Sequence, residues 1–357
     1  MDPSRSSCRE PKGRAAPIQD EKYFFDDGDC VFLAEGVIFK LHQCILSRDP
    51  ESMFRHMFSI PQGLAQTTFF DPISLSDTSA EFRALCWVLY ATPSEIDLQT
   101  ATGADFTRLV NVAKMSHKYT LPAFEAWALE VILIQCQPPL NRLGTTCTLN
   151  ELDSLMGLAC LCEHTELLRA IETIWISRLT ARKKLRWCDA LAAGEKYNRR
   201  QFQATVYYEL NKVVRRTAPD LERGFNSDFN LSNTQLLRLV SGHKMLRDFW
   251  ELLRQDRLPR IPHICSTTVR GHQLHCRKAW SQIQWPSDSP DLITALESAR
   301  DEAQEVSPLG SRCFAHHLDT IIEKFISTDM ASYFLGPETP GDNSLIIQRK
   351  GTSRYSI

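Results

Sequence analysis

The sequence has no long apolar run. Its most apolar stretch, residues 128–134, contains Glu130 and falls far short of the roughly 20 residues a membrane helix needs, so no membrane association is expected. The first 21 residues are polar and charged and offer no apolar core for a secretory signal. That points to an intracellular protein, in cytoplasm or nucleus. No charge of one sign dominates either: 41 Lys and Arg against 43 Asp and Glu leave a net charge of −2. This argues against nucleic acid as the main partner, because phosphate binding requires an excess of positive charge. Also absent are a CxxC dithiol, a phosphate-cradling GxxxxGK[ST], a GxGxxG turn, a zincin HExxH and a GxSxG nucleophile elbow. The acidic residues are scattered, and Asp26-Asp27 sits beside a turn, where capping or solvation accounts for it. No catalytic residue and no bound cofactor are expected.

What remains is an ordinary globular composition, with 357 residues, 43% of them hydrophobic. That length supports two or three domains at roughly 150 residues each. Twelve cysteines in a reducing compartment read as free thiols or metal ligands. Cys160 and Cys162 lie two apart in a helical pattern, point to opposite sides and cannot chelate together.

Local patterns divide the chain. Residues 1–21 mix Pro, Gly, Ser and charge without periodicity and read as a flexible tail. The β-prone runs 30–34 and 37–41 flank Glu35-Gly36, the signature of a tight hairpin. Asp49-Pro50-Glu51 opens a helix carrying Met53, Phe54, Met57 and Phe58. Residues 71–75 form a short strand, kept to a sheet edge by Pro72, which cannot donate to a ladder. Thr78 and Glu81 are spaced as a capping box ahead of a helix bearing Phe82, Leu85, Cys86 and Leu89.

Helices follow almost without interruption beyond Thr100, and three segments are alike. Tyr119 precedes Phe124 and Ala126 by the intervals at which Tyr197 precedes Phe202 and Ala204, and Glu163, Leu168 and Ala170 keep that spacing. Apolar stripes follow each, an arrangement that predicts stacked helical hairpins. A long helix is predicted over 232–255, with Leu236, Leu239, His243, Leu246, Trp250 and Leu253 on one seam. Residues 257–336 form a further helical region, and 337–357 a tail.

The hairpin and first helices carry a family likeness. The stretch from Phe25 through Asp29 to Leu33, then Phe39-Lys-Leu-His42 through Ser47, the helix at 52–58, the 72–77 strand, the helix at 82–90 and the Lys118-Tyr119 helix pair together resemble the BTB/POZ domain, over about residues 22–135. In detail the chain looks like the BTB proteins abundant in mushroom-forming fungi, whose domain is followed by a helical extension. The resemblance implies an α+β fold: an N-terminal BTB/POZ-like domain, a short mixed sheet with helices, followed by a mainly α-helical extension over 136–256 and 257–336. It also implies function through other proteins, by self-association or as adaptor to a partner such as a cullin-type ubiquitin-ligase scaffold. Asp29, Phe39 and His42 are structural signature residues in this reading: Asp29 caps the start of the hairpin, Phe39 shares a face with Leu41, and His42 is a hydrogen-bonded core residue, as is His243. Cullin adaptors carry a hydrophobic-x-Glu element before the edge strand, whereas residues 61–70 contain no acid. Residues 1–21 also lack the amphipathic helix that family dimers commonly use.

Two clusters suggest other chemistry. Between His263 and His317 lie five of the ten histidines and three cysteines. Cys265, His272 or His275, Cys276, Cys313 and His316 offer the thiolate and imidazole donors of a structural zinc site, although their spacing matches no known finger. Residues 178–216 hold eleven basic and three acidic residues, a segment that would serve a chromatin-associated regulator only if its charge gathered on one face.

Overall fold

A computed structural model describes residues 17–60, 71–100, 104–137, 147–181, 185–217, 229–255, 261–264, 268, 270–271, 280–282, 285, 291–306 and 312–338. The fold is α+β, mainly helical, with one four-stranded mixed sheet near the N-terminus. Among the described residues no helix is long and apolar enough to cross a membrane.

The sheet runs β1 (Ile18–Phe24), β3 (Val37–Leu41), β2 (Cys30–Ala34), β4 (Ile73–Leu75). Strands β2 and β3 pair antiparallel, with Phe32 opposite Phe39. Glu35 and Gly36 join them at φ +48° and +81°, the two left-handed residues that a primed hairpin turn requires. Strand β4 pairs parallel with β2 at an edge, as Pro72 predicts. At the other edge, β1 pairs parallel with β3. This strand was not expected: Ile18–Glu21 falls within the stretch whose composition reads as tail. The reason is Asp20, which is buried. Its carboxylate accepts the backbone N–H of Lys22 at 3.0 Å and of Tyr23 at 2.9 Å, and two guanidinium nitrogens of Arg83, each at 2.8 Å. A tertiary ion pair thus orders a segment that has no alternating pattern.

Helices α1 (Gln43–Leu46), α2 (Met53–Ser59) and α3 (Ser79–Tyr90) follow. Helix α2 begins at Met53, capped by Ser52, whose Oγ accepts from Phe54 N–H at 3.2 Å. Asp49 and Glu51 therefore lie outside its first turn, and of its four apolar residues only Phe54 is fully buried. The capping box of Thr78 and Glu81 opens α3 as predicted. Phe32, Phe39, Phe54 and Phe82 form the aromatic core under the sheet, with Phe39 edge-on to Phe82 at 4.9 Å and Phe54 stacked on Tyr119 at 4.5 Å.

Then come α4 (Pro93–Asp97), α5 (Phe106–Lys118), α6 (Pro122–Cys136), α7 (Leu149–Leu161), α8 (Thr165–Thr180), α9 (Trp187–Lys196) and α10 (Arg200–Thr217). The pairs α5/α6, α7/α8 and α9/α10 share one turn. Thr120, Glu163 and Asn198 sit at φ +56°, +51° and +52°, and each next residue donates its N–H back to the carbonyl five residues earlier: Leu121 to Ser116, His164 to Ala159, Arg199 to Gly194. This is a Schellman-type closure, which satisfies carbonyls that a helix end leaves orphaned. The predicted hairpins are there, with one change of register. The left-handed residue equivalent to Thr120 and Asn198 is Glu163, so Leu167, rather than Leu168, corresponds to Phe124 and Phe202. The stripes Ile171, Trp175 and Leu179, and Phe202, Val206 and Leu210, are buried.

The chain divides into two compact units, 1–174 and 175–357, with the division inside α8. In the second unit, α11 (Asn233–Gln255) buries Leu239, Leu246 and Trp250, and packs Gly242 directly against Phe334 of the terminal helix α14 (Met330–Leu335). Among the described residues this unit also holds helices α12 (Leu292–Val306) and α13 (Arg312–Lys324).

Candidate functional site

The signature residues of the first unit are consumed by its own packing. Phe39 and Leu41 are fully buried. Asp29 does not cap the hairpin's start; its carboxylate accepts Gln43 N–H at 2.6 Å and so caps α1, while its own N–H closes the hairpin on Leu41 O at 3.0 Å. His42 donates its backbone N–H to Tyr90 Oη at 3.0 Å, and its ring nitrogens meet Tyr90 Oη at 3.0 Å and Asp27 at 3.2 Å. The imidazole bond to Asp27 holds that carboxyl below its ordinary pKa, while burial pushes the Tyr90 phenol up to about 12. This histidine is wedged by two aromatic neighbours, Phe25 and Tyr90, in the hydrogen-bonded role expected for it. A second network joins Asp77, buried at the end of β4, to Lys118 Nζ and to the Tyr119 hydroxyl at 2.5 Å. Tyr119 O also accepts Met53 N–H at 2.9 Å, which fixes α2 to the end of α5.

One donor cluster lies outside these networks. His117, in the last turn of α5, places Nδ1 3.1 Å from Oε1 of Glu125, in the first turn of α6. Cys162, the residue that closes α7, brings its Sγ to within 4.8 Å of both. One donor atom from each of the three lies within 4.8 Å of the others, and all three side chains are half-buried. Burial, then the Glu125 charge, pushes the Cys162 thiol up to about 12. In sequence terms this cluster is scattered, since two of its members flank a helix turn and the third comes from the next hairpin. The repeated turn was the one available signal, because His117, Glu125 and Cys162 all adjoin it.

The C-terminal donor set is not brought together by described residues. Cys265, His272, His275 and Cys276 lie outside them. Cys313 is fully buried and accepts Ile264 N–H at 3.3 Å, whereas His316 on the same helix is exposed. Four members of the basic segment are engaged within the chain. Arg186 pairs with Asp189, Lys196 lies over the Tyr197 ring at 4.7 Å, and Arg200 reaches Ala331 O and Glu338. Lys212 joins Glu209 at 2.7 Å and Asp291 at 2.9 Å, where Tyr208 Oη also donates to Asp291. Arg182, Lys183 and Lys184 lie outside the described residues. His243 is half-buried, its Nδ1 3.0 Å from Asn211 Oδ1, and burial with Arg215 and Arg247 lowers its pKa.

No family model matches the chain, and no curated protein or solved structure matches it. The site therefore rests on its own geometry.

Proposed function

We propose that the chain is a non-enzymatic protein-interaction module, a BTB/POZ-like domain followed by helical hairpins, acting as an adaptor or scaffold. What carries this reading is the fate of the polar residues. Asp29, His42, Asp77, Lys118 and Tyr119 each hold a helix cap, a strand end or a helix junction, which is support for a scaffold. The order hairpin, short helices, edge strand, capped helix and helix pair supports the family resemblance that suggested the module. The two units would then offer separate surfaces, one for the scaffold and one for the recruited protein.

A substrate adaptor of a cullin-type ubiquitin ligase is one form of this function. A chromatin-associated regulator is less favoured, because Arg186, Lys196, Arg200 and Lys212 of the basic segment are engaged with acidic, aromatic or carbonyl groups of the chain itself. Affinity purification of the full chain from its native cells, read by quantitative mass spectrometry, tests the proposal. Stoichiometric recovery of specific proteins is expected, with cullin subunits or chromatin proteins deciding the form. Recovery of the bait alone, together with turnover of a small-molecule substrate, would overturn it.

A further inference from the structure

We propose that His117, Glu125 and Cys162 form a zinc-binding site that clamps two successive helical hairpins together. The donor set is imidazole, carboxylate and thiol, the three ligand types zinc accepts, in a group small enough to converge on one ion. With metal–donor bonds of about 2.0–2.3 Å, neighbouring donors on a tetrahedral ion stand roughly 3.4 Å apart. The His117–Glu125 separation of 3.1 Å is already close to that, and the full cluster lies within 4.8 Å. Thiolate and carboxylate together balance the ion's charge, and water can take the fourth position.

The backbone holds the three donors in place before any ion arrives. His117 and Glu125 flank the closure in which Tyr119 N–H reaches Met115 O and Leu121 N–H reaches Ser116 O, both at 2.9 Å. Cys162 N–H closes on Leu158 O at 2.9 Å, the equivalent bond of the next hairpin. An imidazole–carboxylate pair alone would serve as an ordinary surface ion pair. Here a thiol from another hairpin lies within 4.8 Å of both, and half-burial leaves the group reachable by an ion.

The test uses the purified full chain. Cobalt, as a spectroscopic substitute for zinc, is titrated in, and zinc affinity is then measured by competition with a chromophoric chelator. One equivalent should bind with a thiolate-to-cobalt charge-transfer band. Cys162→Ser should abolish the band, and His117→Ala and Glu125→Gln should each weaken zinc binding at least about 10-fold. Zinc should raise the melting temperature of the wild type but not of Cys162→Ser. Circular dichroism identifies any variant that fails to fold, in which case the remaining two decide. Absence of metal uptake by the wild type overturns the proposal. So does a band that survives Cys162→Ser, including one lost instead in Cys265→Ser or Cys276→Ser, which would assign the ion to the C-terminal cysteines.

Discussion

The three hairpin turns provide a graded experiment, because one backbone conformation is occupied by three different residues. Thr120, Glu163 and Asn198 all have φ between +51° and +56°. In this region the Cβ of an L-residue crowds the following carbonyl, at a cost of roughly 1–2 kcal/mol that glycine avoids. Asparagine tolerates the conformation best, and a β-branched residue worst. Replacement by glycine also lowers stability by about 0.5–1 kcal/mol, because glycine has more conformational freedom to lose on folding. Thr120 and Asn198 are both exposed, so these backbone contributions dominate. Thr120→Gly should therefore stabilise the first unit by about 1 kcal/mol, Glu163→Gly by about half that, and Asn198→Gly should leave the second unit within about 0.3 kcal/mol of wild type. At this size 1 kcal/mol corresponds to about 2–4 °C in melting temperature. Calorimetry of the full chain resolves the two units if they melt separately, and hydrogen exchange at α5, α7 and α9 assigns each change to its hairpin. A Thr120→Gly variant no more stable than wild type, or an Asn198→Gly variant that gains more than Thr120→Gly, would refute the reasoning.

Three further perturbations follow from packing and charge. Gly242→Ala places a Cβ inside the Phe334 ring, itself stacked on Tyr207 at 5.6 Å; overpacking of about 1–3 kcal/mol outweighs the helix-propensity gain of about 1 kcal/mol, so urea titration should show a lower midpoint. Asp20→Ala strands two backbone N–H groups and one face of Arg83. With Arg83 about half exposed, the loss should be about 2 kcal/mol, accompanied by tryptic cleavage at Lys22 that the wild type resists. The third concerns pH. His243 has a native pKa below its unfolded value of 6.5, so the unfolded chain takes up the proton first as pH falls. The stability that neutral His243 contributes is complete above pH 6.5 and is lost below it. Denaturation midpoints should fall between pH 7 and 5, and His243→Gln should flatten part of that slope.

Local chemistry was legible wherever neighbouring residues decide the backbone. Glu35-Gly36 determines the hairpin because both residues must be left-handed, Thr78 and Glu81 start α3 because their side chains satisfy its first N–H groups, and the buried stripes repeat at helical spacing. The α+β class and the repeated helical hairpins follow from these. Strand β1 had no such signal, since only Asp20 and Tyr23 of its first six residues are buried, and its order depends on Arg83, distant in sequence. The same limit hid the acids' place outside α2, where Ser52 competes successfully for the cap. The donor cluster is the clearest case: no spacing in the sequence marks Cys162 as a neighbour of His117 and Glu125, and only the packing of α7 against α5 brings them together. Sequence alone determined the elements whose hydrogen bonds close locally. Tertiary structure decided everything that depends on a buried charge or a donor finding a partner from another element, because that pairing becomes favourable only once the intervening chain has folded.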